Sequence, residues 1–373
     1  MGDPLRFFSS DEVSRARRYH RPLYIVRIVA VALDVALLAL LAYTGAGDAL
    51  DPQSLPWWGR APLYAAIVVS ALAVVGLPLG LWSGLYRERR WGFSTQRLGG
   101  WVSDRAKELA VNAILAGLTF LGIVALARAL PGWWVVPVAA MLASAALLLS
   151  FVAPVVLEPL FNRYERLRDE GLTAALRMLA DRGEVPVRDV LVQDTSRRTR
   201  KANAYVSGFG RTRRVVVSDT LLDEASPAEV QVVVAHELAH TRYRHVLQGT
   251  ILLIGFVVAG TTAIWALLGL RVADPHEIPL VMLIALGVGL LIAPLGSAVS
   301  RSWERSADRF ALALTGDRDA YRSTFRRLAR TNLSDLDPPR LVYVATFTHP
   351  TPPDRLAAAD NAAPRAAPTL TGA

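Results

Sequence analysis

The sequence predicts an α-helical integral membrane protein of about six transmembrane helices with a small α+β cytoplasmic part, and three observations lead there. Of 373 residues, 53% are hydrophobic and the mean hydropathy is +0.32, too apolar for an ordinary soluble chain. Six runs of about 20 residues carry almost no charge, at roughly 23–43, 61–85, 109–127, 133–153, 246–270 and 278–299. Between the fourth and fifth lie about 90 residues of soluble character, enough for one small unit.

The first run carries Arg27 and Asp34 on one helical face, turned into a bundle as a structural ion pair or a functional site. Its length and internal charge mark an uncleaved span rather than a signal peptide. Arginines crowd the N-terminal arm (Arg15, Arg17, Arg18, Arg21), the second-to-third loop (Arg87, Arg89, Arg90, Arg97, Arg105), the fourth-to-fifth segment and the C-terminal region. Short positive loops stay in the cytoplasm, so six spans with both termini inside satisfy every loop. The net charge of +9 then faces the anionic headgroups of the lipid bilayer and calls for no nucleic-acid partner. Without cysteine there is no disulfide and no thiolate, so a zinc site must use histidine and carboxylate.

In the soluble segment, Leu167, Leu172, Leu176 and Leu179 recur at helical spacing, predicting a helix over 164–182 that Gly183 stops. Two strands follow at 189–193 and 214–218, with NAYVSGFG between them. Ser226, Pro227 and Glu229 make a capping box with proline in the first turn, starting a helix near 227 that meets no breaker before the fifth span. After the sixth span SRSWERSADRFALAL is again helical by pattern, and the Ala/Pro/Thr-rich terminus reads as disordered.

That helix contains HELAH. His236 and His240, four apart, project from one face and suit one zinc ion, while Glu237 beside them can take a proton from water. A third ligand follows from the hairpin of the fifth and sixth spans. With its tip near Ala273, His240 lies 33 residues before it and Glu304 lies 31 after it. At about 1.5 Å per residue these sit at nearly equal height on antiparallel helices. Asp308, at i+4 from Glu304, is placed to accept a proton from a ligating histidine. The alternative is that Glu304 and Asp308 form a salt-bridged surface face with Arg301 and Arg305.

These residues resemble the integral-membrane zinc metalloproteases of the type I CaaX prenyl endopeptidase group and, more distantly, HtpX-type heat-shock proteases. YRERRWGFSTQRLGGWVSDRAKE, EPLFNRYERL, NAYVSGFG, HELAH, SRSWERSAD and HPTPPDRL occur in the family's order, and the likeness runs from about Tyr86 onward. The resemblance implies a gluzincin-type catalytic part with one zinc ion per chain on His236, His240 and Glu304, Glu237 as general base and Asp308 behind the ligands. It also implies that Asn203 binds substrate backbone and that His349 steadies the tetrahedral intermediate. An edge at NAYVSG could take a peptide by strand addition, and a histidine donor near the metal suits an oxyanion. On the residues alone Asn203 is a turn residue and His349 a loop histidine. Arg355 is expected to anchor the C-terminal segment by an ion pair, with Arg301 in support. The chain departs from the eukaryotic members in having six spans where they have seven, the missing one falling before EPLF, so that any intramembrane chamber is smaller or open.

The expected organisation is therefore 1–157 as a membrane region with four spans, 158–245 as the cytoplasmic α+β part, 246–300 as a membrane hairpin, 301–358 as a C-terminal catalytic segment and 359–373 as a disordered tail. The expected activity is that of a multi-pass endopeptidase of a bacterial inner membrane acting at the cytoplasmic face. Its substrates are membrane-associated or lipid-anchored proteins, processed in a CaaX-prenyl-protease-like way or removed in quality control. Rival readings are a transporter or channel, or an inactive protease fold that binds.

Overall fold

The computed structural model describes residues 2–152, 156, 158–208 and 210–361. In lipid every backbone N–H and C=O must be satisfied within the segment, so the long apolar runs become helices. Among the described residues five are long and apolar enough to cross a membrane: Ser10–Tyr43, Trp57–Arg90, Leu98–Ala129, His245–Ala273 and Pro275–Thr315. The run expected at 133–153 forms the shorter helix Val135–Val152, of 18 residues. We label the helices of this half α1 (Ser10–Tyr43), α2 (Trp57–Leu81, prolonged by a π turn at Trp82–Tyr86), α3 (Leu98–Ala129) and the shorter apolar α4 (Val135–Val152).

The soluble part opens with strand β1 (Tyr164–Arg166), helix α5 (Glu170–Arg182), β2 (Asp189–Gln193), β3 (Ala204–Ser207) and β4 (Arg214–Ser218). The helix expected over 164–182 thus begins only at 170. Asp169 accepts a hydrogen bond from the Leu172 N–H at 2.9 Å and caps it, while Tyr164 to Arg166 pair antiparallel with β2 instead. The expected strands at 189–193 and 214–218 are β2 and β4, parallel neighbours at the centre of a sheet ordered β1-β2-β4-β3. Among the described residues β3 pairs only with β4, at the edge of the sheet.

Helix α6 (Pro227–Arg242) follows, then α7 (His245–Leu268), α8 (Ile278–Thr315), α9 (Arg318–Thr331), α10 (Arg340–Thr346) and α11 (Pro352–Asn361). The continuous helix expected from 227 into the fifth span is interrupted. Tyr243 ends α6 and Arg244 turns left-handed at φ 56°, so α7 starts afresh at His245. In contrast α8 leaves the membrane and runs past residue 300 without a break. Of the expected disordered tail, 359–361 close α11 with Ala359 buried, and 362–373 lie outside the described residues.

The five candidate spans and the apolar α4 pack in sequence, α1 on α2, α2 on α3, α3 on α4, α4 on α7 and α7 on α8, and α8 returns to α1 to close a ring. At the end remote from the sheet all six contribute to one apolar cluster, including Leu41, Tyr64, Val124, Trp134, Leu268 and Ile278. At the other end α5 and α6 cover the sheet through Leu176, Leu179, Val234 and Leu238, joined by Ala311 of α8. A third cluster sets Phe8, Val13 and Ala16 against Tyr321, Phe325 and Leu356, which fixes the C-terminal helices to the start of α1.

Candidate metal centre and active site

The capping box at the start of α6 is made as the sequence suggests: the Glu229 N–H donates to Ser226 Oγ at 3.4 Å and the Ser226 N–H to Glu229 Oε2 at 2.8 Å. Val230, Val234 and Leu238 bury one face of α6 against the sheet, which turns His236, Glu237 and His240 toward α8 and the C-terminal segment. Glu304 and Asp308 come from the facing side of α8, both buried.

His236 Nε2 lies 3.2 Å from Glu304 Oε2, His240 Nε2 3.4 Å from Glu304 Oε1, and the two Nε2 atoms 3.3 Å from each other. One donor atom from each of the three falls within 4.8 Å of the others. Ligands about 2.0–2.1 Å from a tetrahedral ion are separated by about 3.3 Å, so these spacings fit zinc. The remaining ring nitrogens have outer partners: His236 Nδ1 is 3.0 Å from Asp308 Oδ1, and His240 Nδ1 is 3.0 Å from His245 Nδ1. With Nδ1 facing these outer groups, each imidazole turns its Nε2 to the shared centre.

Arg355 pairs with Glu304 and reaches Asp308 Oδ1 at 3.2 Å, with its guanidinium 4.7 Å from the Phe325 ring centre. The ion pair expected to anchor the C-terminal segment is therefore made to both carboxylates. Arg301, expected in a supporting role, donates to the carbonyls of Tyr343 at 3.1 Å and Phe347 at 2.6 Å, holding the chain just before Thr348 and His349. His349 Nε2 lies 3.3 Å from Glu304 Oε1, and its Nδ1 is 2.8 Å from Thr348 Oγ1.

A cleft of about 600 Å³ brings Asn203, His236, Glu237 and His349 together, with apolar walls from Leu221, Val233, Phe325 and Phe347. Asn203 precedes edge strand β3. Its N–H donates to Ser218 Oγ and its carbonyl accepts from the Ser218 N–H, both at 2.9 Å. Burial pushes the Glu237 carboxyl up to about 7, where a general base works best near neutrality. Burial also holds His240 down, to about 4, with the charge of His236 adding to it. For His236 burial is outweighed by the hydrogen-bonding carboxylates of Asp308 and Glu304, and its value rises to about 9.

The structure also brings in His245, which the sequence does not single out, and Arg27, which the sequence pairs with Asp34. His245 reaches the site only because the chain breaks at Arg244. Arg27 of α1 lines the cleft, and among the described residues it makes no ion pair with Asp34. Seven residues of helix separate them by about 10 Å, beyond ion-pair reach.

Two family models cover almost all of this chain. Peptidase family M48 matches residues 166–363, and the N-terminal region of CAAX prenyl proteases, described as five membrane helices, matches residues 5–163. Among curated relatives, the uncharacterized metalloprotease YhfN of Bacillus subtilis is 28% identical over 95% of this chain and 87% of its own length. CAAX prenyl protease 1 homolog of Arabidopsis thaliana is 28% identical over 80% of this chain and 72% of its own. The crystal structure of S. mikatae Ste24p superposes with a TM-score of 0.76 at 20% identity, covering 95% of this chain and 89% of that one.

Proposed function

The chain belongs to peptidase family M48 and is a multi-pass membrane metalloprotease, and on that premise we propose that His236, His240 and Glu304 hold one zinc ion at which peptide bonds are hydrolysed. The observation that carries this reading is the cluster of three inward-facing donor atoms within 4.8 Å, beside a Glu237 carboxyl pushed up to about 7. When bound there, zinc supplies Lewis-acid polarisation of a carbonyl and acidifies water.

The residues divide the remaining work. Glu237 takes the proton from the attacking water and delivers it to the leaving amine. His349 donates a hydrogen bond to the oxygen that becomes negative as the carbonyl turns tetrahedral. Asn203 and the free edge of β3 hold the substrate backbone in extended form. Asp308 fixes the His236 tautomer, and Arg355 balances the charge of the two carboxylates.

Substrates are membrane-associated proteins, because α7, a membrane helix, begins five residues after His240. The arginine-rich loops support a reading in which the site and both termini face the cytoplasm, in a bacterial cell membrane on our proposal. The names of the Arabidopsis and yeast relatives point to prenylated CaaX-type peptides, and clearance of misfolded membrane proteins is the other use of the same chemistry. Purified protein should cleave a prenylated peptide faster than its unmodified form; equal rates would remove prenyl processing in favour of quality control. Glu237→Gln should lose hydrolysis while retaining zinc, and turnover by that variant would overturn the assignment of the base.

A further inference from the structure

We infer that His245 is a positioning residue of the metal centre, holding the His240 imidazole for metal binding and tying it to the helix turn that carries Glu304. This rests on the reading of His236, His240 and Glu304 as metal ligands.

On an unbroken helix, residues 240 and 245 would point about 140° apart and could not meet. Arg244 abolishes that constraint. A non-glycine residue at φ 56° is strained by about 1–2 kcal/mol and persists where its surroundings require it. Here the turn swings His245 back, so that its Nδ1 lies 3.0 Å from His240 Nδ1. The ring is buried, with 6% of the residue exposed, and stacks on Trp303 at an interplanar angle of 15° and a centroid distance of 5.3 Å. Its Nε2 lies 3.4 Å from Ser306 Oγ, and Ser306 Oγ in turn donates to the Trp303 carbonyl at 2.6 Å.

These contacts assign every proton. A neutral His240 that offers its Nε2 lone pair inward carries hydrogen on Nδ1, and the acceptor within reach is His245 Nδ1. His245 then carries its own hydrogen on Nε2 and gives it to Ser306, whose hydroxyl hydrogen goes to the carbonyl of Trp303. The chain of donors ends one residue before Glu304. Such outer partners set ligand basicity and orientation, and their loss costs about 10- to 100-fold in metal affinity.

The test compares two variants of the full chain in detergent, His245→Phe and His245→Asn, by zinc affinity against a competing chelator and by the visible spectrum of the cobalt-substituted protein. Phenylalanine keeps the stack on Trp303 and removes the acceptor; asparagine gives up the stack and keeps an acceptor oxygen near the Nδ1 position. Weaker zinc binding by about 10- to 100-fold in His245→Phe, with a shifted cobalt spectrum, and recovery in His245→Asn are expected. The reverse order, or wild-type affinity and spectrum in His245→Phe, would mean that His245 is only packing and would overturn the proposal. If His245→Phe does not fold, His245→Leu against His245→Asn makes the same comparison at similar volume. Failure of the wild-type protein itself to bind zinc would instead sink the ligand assignment.

Discussion

Arg355 forms a buried ion pair with Glu304, 51 residues earlier in the chain, and the same guanidinium reaches Asp308 at 3.2 Å. Two carboxylates withdrawn from water within one turn of helix need this cation. Arg355→Met should therefore strand both charges and destabilise the protein by about 3–5 kcal/mol. Thermal unfolding of the zinc-free protein measures it, and an unchanged midpoint would show that the pair contributes nothing. On the proposed ligand set, zinc should recover part of the loss by taking over Glu304.

Zinc affinity should depend on pH through His236. With Asp308 and Glu304 raising its free value to about 9, the ring is protonated at neutral pH and must lose that proton to bind metal. Affinity should rise with pH by up to about tenfold per unit until about 9 and then level off. Chelator competition at several pH values checks the slope, and proton release on adding zinc to unbuffered protein checks its origin. A flat profile below 9 would contradict the proton count.

His349→Ala should lower kcat by about 100-fold with KM nearly unchanged, because the donor acts on charge that develops after binding. Arg301→Ala should give a smaller fall of about 10-fold, since it loosens the carbonyls of Tyr343 and Phe347 that hold the chain before His349. Steady-state kinetics with zinc content measured alongside separates this from metal loss: both variants should stay fully loaded.

Glu229 gives α6 an acid-sensitive start. Burial raises its carboxyl, but hydrogen bonds from the Ser226 N–H and Arg327 outweigh burial and hold it below the ordinary 4.5. A depressed folded value means that this stabilisation is complete above 4.5 and is lost as the pH falls through the lower folded value. Glu229→Gln should flatten the acid limb of a stability-versus-pH curve and lower stability at pH 7, as followed by thermal unfolding. An acid limb as steep as that of the parent protein would assign the sensitivity to other carboxylates.

Local physics made much of this protein legible in advance. The apolar runs, the two central strands, the capping box at Ser226 and the pair His236/His240 each depend on residues within a few positions of one another. Even the approach of Glu304 could be reasoned out, because a helical hairpin has a fixed rise per residue and so a calculable register. The resemblance of the sequence to the CaaX prenyl endopeptidase group is matched by the two family models, which cover residues 5–163 and 166–363.

Contacts between distant segments decided the rest. The strand at Tyr164–Arg166 forms because β2 is there to pair with it, against a leucine pattern that reads as helix. Arg355 reaches Glu304, and Arg27 of the first membrane helix reaches the cleft, only because the C-terminal helices dock on α1. His245 is the sharpest case: by periodicity it belongs on the wrong side of the helix, and a single left-handed residue, held by packing that no local propensity encodes, returns it to His240. Spacing along a chain determines which side chains share a face, whereas the breaks and dockings that carry those faces together are settled by the summed burial of the whole fold.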